Sequence, residues 1–440
     1  MARYKPYEKY KDSGVEWIGQ IPEHWEVEPL FRYYKERKNK NIGGLEQNVL
    51  SLSYGRIKRR DLSDNFGLLP ESFEGYNIVE PGNLVLRLTD LQNDHQSLRC
   101  GLVWEIGVIT SAYVTLEPIS SIDEDYGYWL MYAYDLLKVF YGFGAGVRQS
   151  MTFRDLKWMP LTLPPFREQH AIADFLDQRT SELDTLIADK EKLVTLLQEY
   201  RQAIISEAVT KGLNPDAKMK DSGVEWIGEI PEHWEVNRLK YVAEYQVSNV
   251  DKIPLDAEQT VRLCNYTDIY NNEFISPKLD LMITTATPIE IRKFGLAAGD
   301  VIITKDSEDW RDIAVPALVI ESTQDMVCGY HLAMIRSQKL CLLGSYLFRL
   351  LQSRKINSQF QVEARGVTRY GIPKNAIGNA VIPIVPIEEQ QAIADYLDQK
   401  TSETDDLISG IQGSIAQLKS YRQSLISEAV TGKFDVRGVI

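Results

Sequence analysis

Apolar positions along the chain follow two patterns that alternate twice. Residues 28–163 and 237–384 mix short β-branched and aromatic runs, at 83–88, 108–116, 301–304 and 314–320, with one apolar helical segment each, near 128–140 and 343–355. Each region ends in a proline-rich approach, Pro160-Leu161-Thr162-Leu163-Pro164-Pro165 or Pro383-Ile384-Val385-Pro386, followed by a long proline-free stretch of helical period. In the first such stretch Leu176, Leu183, Lys190, Leu197 and Ile204 recur every seven residues, with Leu186, Leu193 and Tyr200 as a second row. The matching residues of the second stretch are Leu397, Thr404, Ile411, Leu418 and Leu425, with Leu407, Ser414 and Tyr421. These seams predict two helices of ~45 residues, each on the order of 65 Å long. A helix of that length with one apolar stripe needs a cover, and the other long helix supplies it. Identity between the two concentrates at their ends and vanishes across 188–196, as expected where an antiparallel pair crosses a pseudo-twofold axis. Gly410 and Gly413 weaken the second helix near that crossing and allow a kink. An ordinary helical hairpin core is the alternative reading of the heptads.

Self-comparison explains the alternation, because the chain is a duplication. The segment from Lys11 to Val27 recurs from Lys220 to Val236, 209 residues later, with Gln20 replaced by Glu229. The helix entry Glu168-Gln169-His170-Ala171-Ile172-Ala173 recurs as Glu389-Gln390-Gln391-Ala392-Ile393-Ala394, 221 residues later, and the exit Ser206-Glu207-Ala208-Val209-Thr210 recurs as Ser427-Glu428-Ala429-Val430-Thr431. The offsets differ by 12, so the second insert is that much longer. The inserts match only faintly, at 81–86 against 298–303 and at Tyr128-Trp129-Leu130 against Tyr346-Leu347-Phe348. One frame therefore carries two different surfaces. If the halves are equivalent, the C-terminal end is expected to lie beside the N-terminal end.

Composition places the chain among folded proteins: 440 residues, 44% hydrophobic and 10% aromatic, with 49 basic and 62 acidic side chains giving a net charge of −13. Four scattered cysteines, Cys100, Cys264, Cys328 and Cys341, suggest neither a zinc site nor a disulfide framework. With no apolar leader and no run long enough to span a membrane, a cytoplasmic location is expected. Known catalytic motifs are absent: there is no GxxxxGK[ST], HExxH, GxSxG or Asn-Pro-Pro-aromatic. The glycines of 141–148 follow a helical pattern and no clear helix follows them, unlike a nucleotide loop. His24 and His233, each in a Pro-Glu-His-Trp context, lack a second ligand at metal spacing and read as structural braces.

Basic clusters are the remaining candidates for chemistry. Arg56-Ile57-Lys58-Arg59-Arg60 follows Ser53-Tyr54-Gly55. Arg148 and Gln149 follow a glycine-rich run, and Arg365-Gly366-Val367-Thr368-Arg369-Tyr370-Gly371 occupies the same place in the second half, followed by Lys374. Arginine can hold a phosphate or reach guanine bidentately, glutamine can read adenine, and glycine lets the backbone come close. A solvated charged loop is the plain alternative for each cluster. The acidic balance opposes phosphate binding overall, but the negative charge gathers on the long helices.

Taken together, Ser-Gly-Val-Glu-Trp-Ile-Gly-x-Ile-Pro-Glu-His-Trp-Glu-Val before each insert, Pro-Pro-Phe-Arg-Glu-Gln-His-Ala-Ile-Ala at 164–173, its counterpart at 385–394, and Ile-Ser-Glu-Ala-Val-Thr closing each helix resemble the DNA sequence-specificity subunits of Type I restriction-modification systems. The resemblance covers essentially the whole chain. It departs at Pro383-Ile384-Val385-Pro386, which replaces the adjacent Pro164-Pro165 pair, and at Glu388, which replaces Arg167.

The resemblance implies an α+β fold: two target recognition domains of mixed α/β structure joined by two antiparallel coiled-coil helices, with a pseudo-twofold internal repeat. The expected bounds are a repeat element at 1–27, a recognition domain at 28–163, a spacer helix at 164–213, a linker with the second repeat element at 214–236, a recognition domain at 237–384, a spacer helix at 385–433 and a tail at 434–440. It also implies a noncatalytic subunit that reads a bipartite, asymmetric site on double-stranded DNA. Two modification (methyltransferase) subunits and two restriction subunits would be its partners. S-adenosylmethionine, ATP and Mg would belong to those partners and no cofactor to this chain. The competing reading is a helical scaffold that joins proteins without touching DNA.

Overall fold

The computed structural model describes residues 4–60, 72–91, 98–142 and 150–438. The chain forms two compact units, Met1–Glu191 with Gly413–Ile440, and Lys192–Gln412.

In the first unit, strands Tyr34–Glu36, Val114–Pro118, Leu84–Leu86 and Cys100–Leu102 form an antiparallel sheet in that order. Leu84, Val85 and Leu86 are all buried, which a strand covered on both faces requires. The predicted apolar helix is Glu124–Leu136; the Asp123 carboxylate caps it by accepting from the Tyr126 amide. Beside the sheet lies a hairpin, Leu50–Ser53 with Arg56–Arg59. Its two turn residues, Tyr54 and Gly55, hold φ of 47° and 76°, the left-handed pair a tight hairpin needs.

The second unit repeats this sheet as Ala243–Val247, Leu332–Ser337, Val301–Thr304 and Pro316–Val319, and adds Phe274–Ile275 at the edge. Its helix is Gly344–Gln352. A further sheet of Met282–Ala286, Gln259–Cys264 and Met326–Cys328 covers a separate apolar cluster.

The faint match at 81–86 against 298–303 is one turn built twice. The Asn83 side chain accepts from the Glu80 amide at 3.1 Å, and the Asp300 side chain accepts from the Ala297 amide at 2.8 Å. The second faint match needs correction. The buried Tyr126 corresponds to the buried Tyr346, and Trp129 to Arg349, a register two residues away from the pairing of Tyr128 with Tyr346. The anchors fix this register. The Gln169 side chain accepts from the Asp123 amide at 2.9 Å, as that of Gln390 does from the Leu343 amide at 2.8 Å. Trp129 donates to Asp177 at 2.8 Å, while the Arg349 guanidinium donates to Asp398 at 2.6 Å.

The long helices span Phe166–Lys211 and Ile387–Val430, and the second stays helical through Gly410 and Gly413. Within the first unit Arg422 grips Asp184 at 2.8 Å and Lys419 meets Glu191 at 2.9 Å, so rising numbers on one helix face falling numbers on the other. Within the second unit Arg201 meets Asp405 at 3.0 Å.

The seam differs from the predicted one in its second row. Leu176, Leu397 and Leu425 are buried, and Leu183, Leu197, Ile204, Ile411 and Leu418 are partly so. Leu186, Leu193, Tyr200 and Leu407, however, lie on the exposed side, whereas Tyr421 of the same row is partly buried and packs against the core of the first unit. The covered stripe continues four residues after each member of the first row, through Thr180, Ile187 and Val194 to Arg201, and through Thr401, Ile408 and Ile415 to Arg422. Polar members are tolerated because Thr180 donates to the Leu176 carbonyl and the arginines find carboxylates on the facing helix.

The repeated His-Trp element braces each helix entry. The buried Glu168 carboxylate accepts from Trp25 at 2.9 Å and from Tyr7 at 2.6 Å, with His24 at 2.9 Å. Glu389 accepts from Trp234 at 3.1 Å, with His233 at 2.9 Å. At the end of the chain Phe434 stacks on Tyr4, and the Asp435 amide donates to the Lys5 carbonyl, joining the two terminal segments within the first unit.

Candidate nucleic-acid interface

The hairpin of the first unit projects its basic residues unequally. Ile57 is buried, which turns Arg56 and Lys58 outward with Tyr54 at the tip. Arg56 leans toward Asp184 at 3.8 Å. Arg59 is committed: it forks onto Glu105, with Nε to Oε1 at 2.7 Å, and lies over Trp104. The hydrogen bond from Arg59 holds the Glu105 carboxyl below the usual carboxylate range. Arg60 is half-buried, and its amide donates to the Val49 carbonyl. Lys58 is exposed, with its charge available to a phosphate. Arg148 and Gln149 lie outside the described residues.

In the second unit Arg365, Arg369 and Tyr370 belong to one tight loop. Arg365 and Gly371 exchange backbone hydrogen bonds, closing a turn in which Gly366 adopts φ of 145°. A Cβ on Gly366 would meet the Arg369 carbonyl oxygen at 1.9 Å, so only glycine fits. Both arginines project into solvent. Tyr370 and Gly371 pair with Ser307 and Asp306, and the Ile372 amide donates to the Lys305 carbonyl. The same backbone bond recurs in the first unit, from the Met151 amide to the Leu88 carbonyl. Lys374 stands apart, over the Tyr245 ring and 3.3 Å from the Gln246 side chain.

The loop also gathers residues that sequence spacing does not bring together. Lys305 donates its amide to the His331 carbonyl, and Asp306 binds both the Lys305 ammonium at 2.5 Å and the His331 ring at 2.6 Å. His331, at φ 73°, lies against Tyr330 with ring centroids 4.0 Å apart. Trp310 and Tyr330 are exposed nearby in sequence to these anchors. Three segments distant along the chain, at 305–307, 330–331 and 365–371, are thus tied by backbone hydrogen bonds, with the Arg365 and Arg369 guanidinium groups and the Tyr330 ring exposed, an arrangement suited to groove edges and phosphates. Among the described residues no group of three or more His, Cys, Asp or Glu side chains could hold a metal ion, and no helix is long and apolar enough to cross a membrane.

Comparison with known proteins agrees with this frame. The model of the family described as Type I restriction modification DNA specificity domain matches residues 108–196 and 231–417. The Type I restriction enzyme MjaVIII specificity subunit of Methanocaldococcus jannaschii is 23% identical over 434 residues, covering 96% of this chain and 95% of that protein. The EcoBI specificity subunit of Escherichia coli is 23% identical over 304 residues, 65% of this chain and 60% of its own length. The fold resembles that of the HsdS subunit from Thermoanaerobacter tengcongensis, with a TM-score of 0.55 at 15% identity over 94% of this chain and 98% of that one. A chain from a structural study of complex assembly in the type I R-M system gives 0.67 at 16% identity over 93% and 98%. With more than half of its length matched by the family model, this chain belongs to the Type I restriction modification DNA specificity family and is a DNA-recognising specificity subunit, not itself an enzyme.

Proposed function

We propose that each unit's α+β domain reads one half of a bipartite, asymmetric site on double-stranded DNA, and that the two long helices set the gap between the halves. The observation that carries this reading is the duplicated frame: the same four strands, an insert helix whose first amide is held by a glutamine, and the Glu-Gln helix entry occur twice and display unrelated loops. A noncatalytic chain needs partners to act on what it reads. Two modification subunits would supply S-adenosylmethionine and adenine methylation, and two restriction subunits would supply ATP- and Mg-dependent cleavage, all in the cytoplasm.

Within the second domain Arg365 and Arg369 are the side chains we assign to direct contact. A bidentate arginine is worth about 1–3 kcal/mol against the wrong base. Arg369→Ala is therefore expected to relax one base pair of one half-site roughly tenfold in the assembled complex, without loss of partner assembly. Mapping methylated adenines in DNA treated with each complex checks this, and unchanged rates at the same sites would remove Arg369 from the reading surface. A second expectation concerns the gap: one added heptad in each long helix, beside Lys190 and beside Ile411, should lengthen the spacing tolerated between half-sites, as the same map would reveal.

A further inference from the structure

The duplication repeats the junction where a long helix ends against a repeat element, and the two units fill that junction differently. In the first unit Tyr4 stacks on Phe434 with centroids 4.5 Å apart and meets Phe175 edge-on at 5.4 Å. The neighbouring Lys433 sends its ammonium to the Ile18 carbonyl at 2.9 Å and the Gln20 carbonyl at 2.6 Å, while its own carbonyl accepts from the Tyr10 hydroxyl. Phe434 and Phe175 are buried as a result, at 5% and 1% exposure.

The second unit has the walls of this junction without the contents. At the helix spacing Phe175 becomes Tyr396, Ala429 becomes Ala208 and Phe434 becomes Leu213; at the repeat-element spacing Tyr10 becomes Met219, Gln20 becomes Glu229 and Tyr4 is again Leu213. Gly212 matches Gly432: they hold φ of 74° and 68°, pack against the equivalent Trp234 and Trp25, and send their amides to the equivalent Ala208 and Ala429 carbonyls. The chain then runs directly into Leu213, so the linker supplies no lysine there. Two aromatic rings and a lysine in one unit correspond to a single leucine in the other. What is left is a groove of about 710 Å³ lined by Tyr396, Ala208, Leu213, Met219 and Glu229. Tyr396 and Leu213 are 36% and 41% exposed, where their counterparts are buried. Glu207 and Glu229 set two carboxylates along its rim against the single ammonium of Lys211.

We propose that this groove docks a partner polypeptide presenting a lysine followed by an aromatic side chain, the pair that the chain's own Lys433 and Phe434 place in the first unit. The ring packs on Tyr396 and Leu213, and the ammonium takes the position beside Glu229 that Lys433 takes beside Gln20. The groove shares no lining residue with the DNA-reading loops and does not depend on the function proposed for them.

The test uses the full-length chain and a fluorescent peptide of the sequence Val-Thr-Gly-Lys-Phe-Asp-Val-Arg-Gly, which is residues 430–438. Saturable one-to-one binding is expected, weakened about tenfold or more by Tyr396→Ala and by replacing the lysine and phenylalanine of the peptide with alanine. Glu229→Lys, at an exposed position that does not contribute to the core, is expected to weaken binding of the same peptide without altering the melting temperature. Absence of saturable binding at millimolar peptide would overturn the proposal. So would binding that both variants leave unchanged, since the peptide would then be exchanging into the first unit instead.

Discussion

Replacing Glu168 with alanine is expected to lower the melting temperature of the first unit by roughly 6–12 °C, several times the effect of Glu389→Ala on the second. The two glutamates hold the same place in the repeat, but not the same load. Glu168 is 4% exposed and accepts from the Tyr7 hydroxyl and the Trp25 indole, with His24 on its other oxygen. Burial, and then the hydrogen bond to Glu168, push the ionisation of the Tyr7 hydroxyl far up, so it remains a donor at all working pH values. Deleting the carboxylate strands two buried donors, at about 1–3 kcal/mol each, and ~3 kcal/mol in total moves a domain of this size by the stated amount. Glu389 is 28% exposed and has no counterpart of Tyr7 among its partners in the second unit. Water can replace it, at a cost of about 1 kcal/mol. Scanning calorimetry on the two variants measures the difference, and equal losses would show that the brace is not what stabilises the helix entry.

The larger functional effect is expected from exchanging the insert 237–384 for that of another family member. The frame is built to accept different inserts, because its contact residues serve unlike partners. Asp177 accepts an indole N–H from Trp129, and the equivalent Asp398 accepts a guanidinium from Arg349. Gln169 and Gln390 bind only backbone at the start of the insert helix, so the identity of that residue is free to change. The turn at Gly82 and Gly299 likewise needs only a short side-chain acceptor, supplied by Asn83 or by Asp300. A chimera keeping residues 385–440 and 1–236 should therefore fold, assemble with partners and change its DNA preference in one half of the site alone.

Much of the frame was legible because it is local. Proline followed by a heptad pattern marks both long helices to within a few residues, and the near-identity of 11–27 with 220–236 exposes the duplication. The second row of the seam was misread because Leu186, Leu193, Tyr200 and Leu407 are more apolar than Thr180, Arg201 and Thr401, which take the covered side. Apolar character alone does not reveal that a threonine can bond its own helix or that an arginine can meet a carboxylate across the seam. The register of the insert helices was hidden by the change from Trp129 to Arg349, conserved only in what it donates. In the reading surface, Arg365, Arg369 and Tyr370 are adjacent in sequence and could be singled out. Lys305, Tyr330 and His331 reach the same region through strand pairing and backbone hydrogen bonds across distant segments, and no spacing along the chain announces them.

The most direct measurement is a map of methylated adenines in cells carrying the modification partner with either the intact chain or the 237–384 chimera. Two separated half-sites are predicted, of which the chimera changes one and keeps the other. A motif that changes throughout, or that does not change at all, would contradict the assignment of one half-site to each unit.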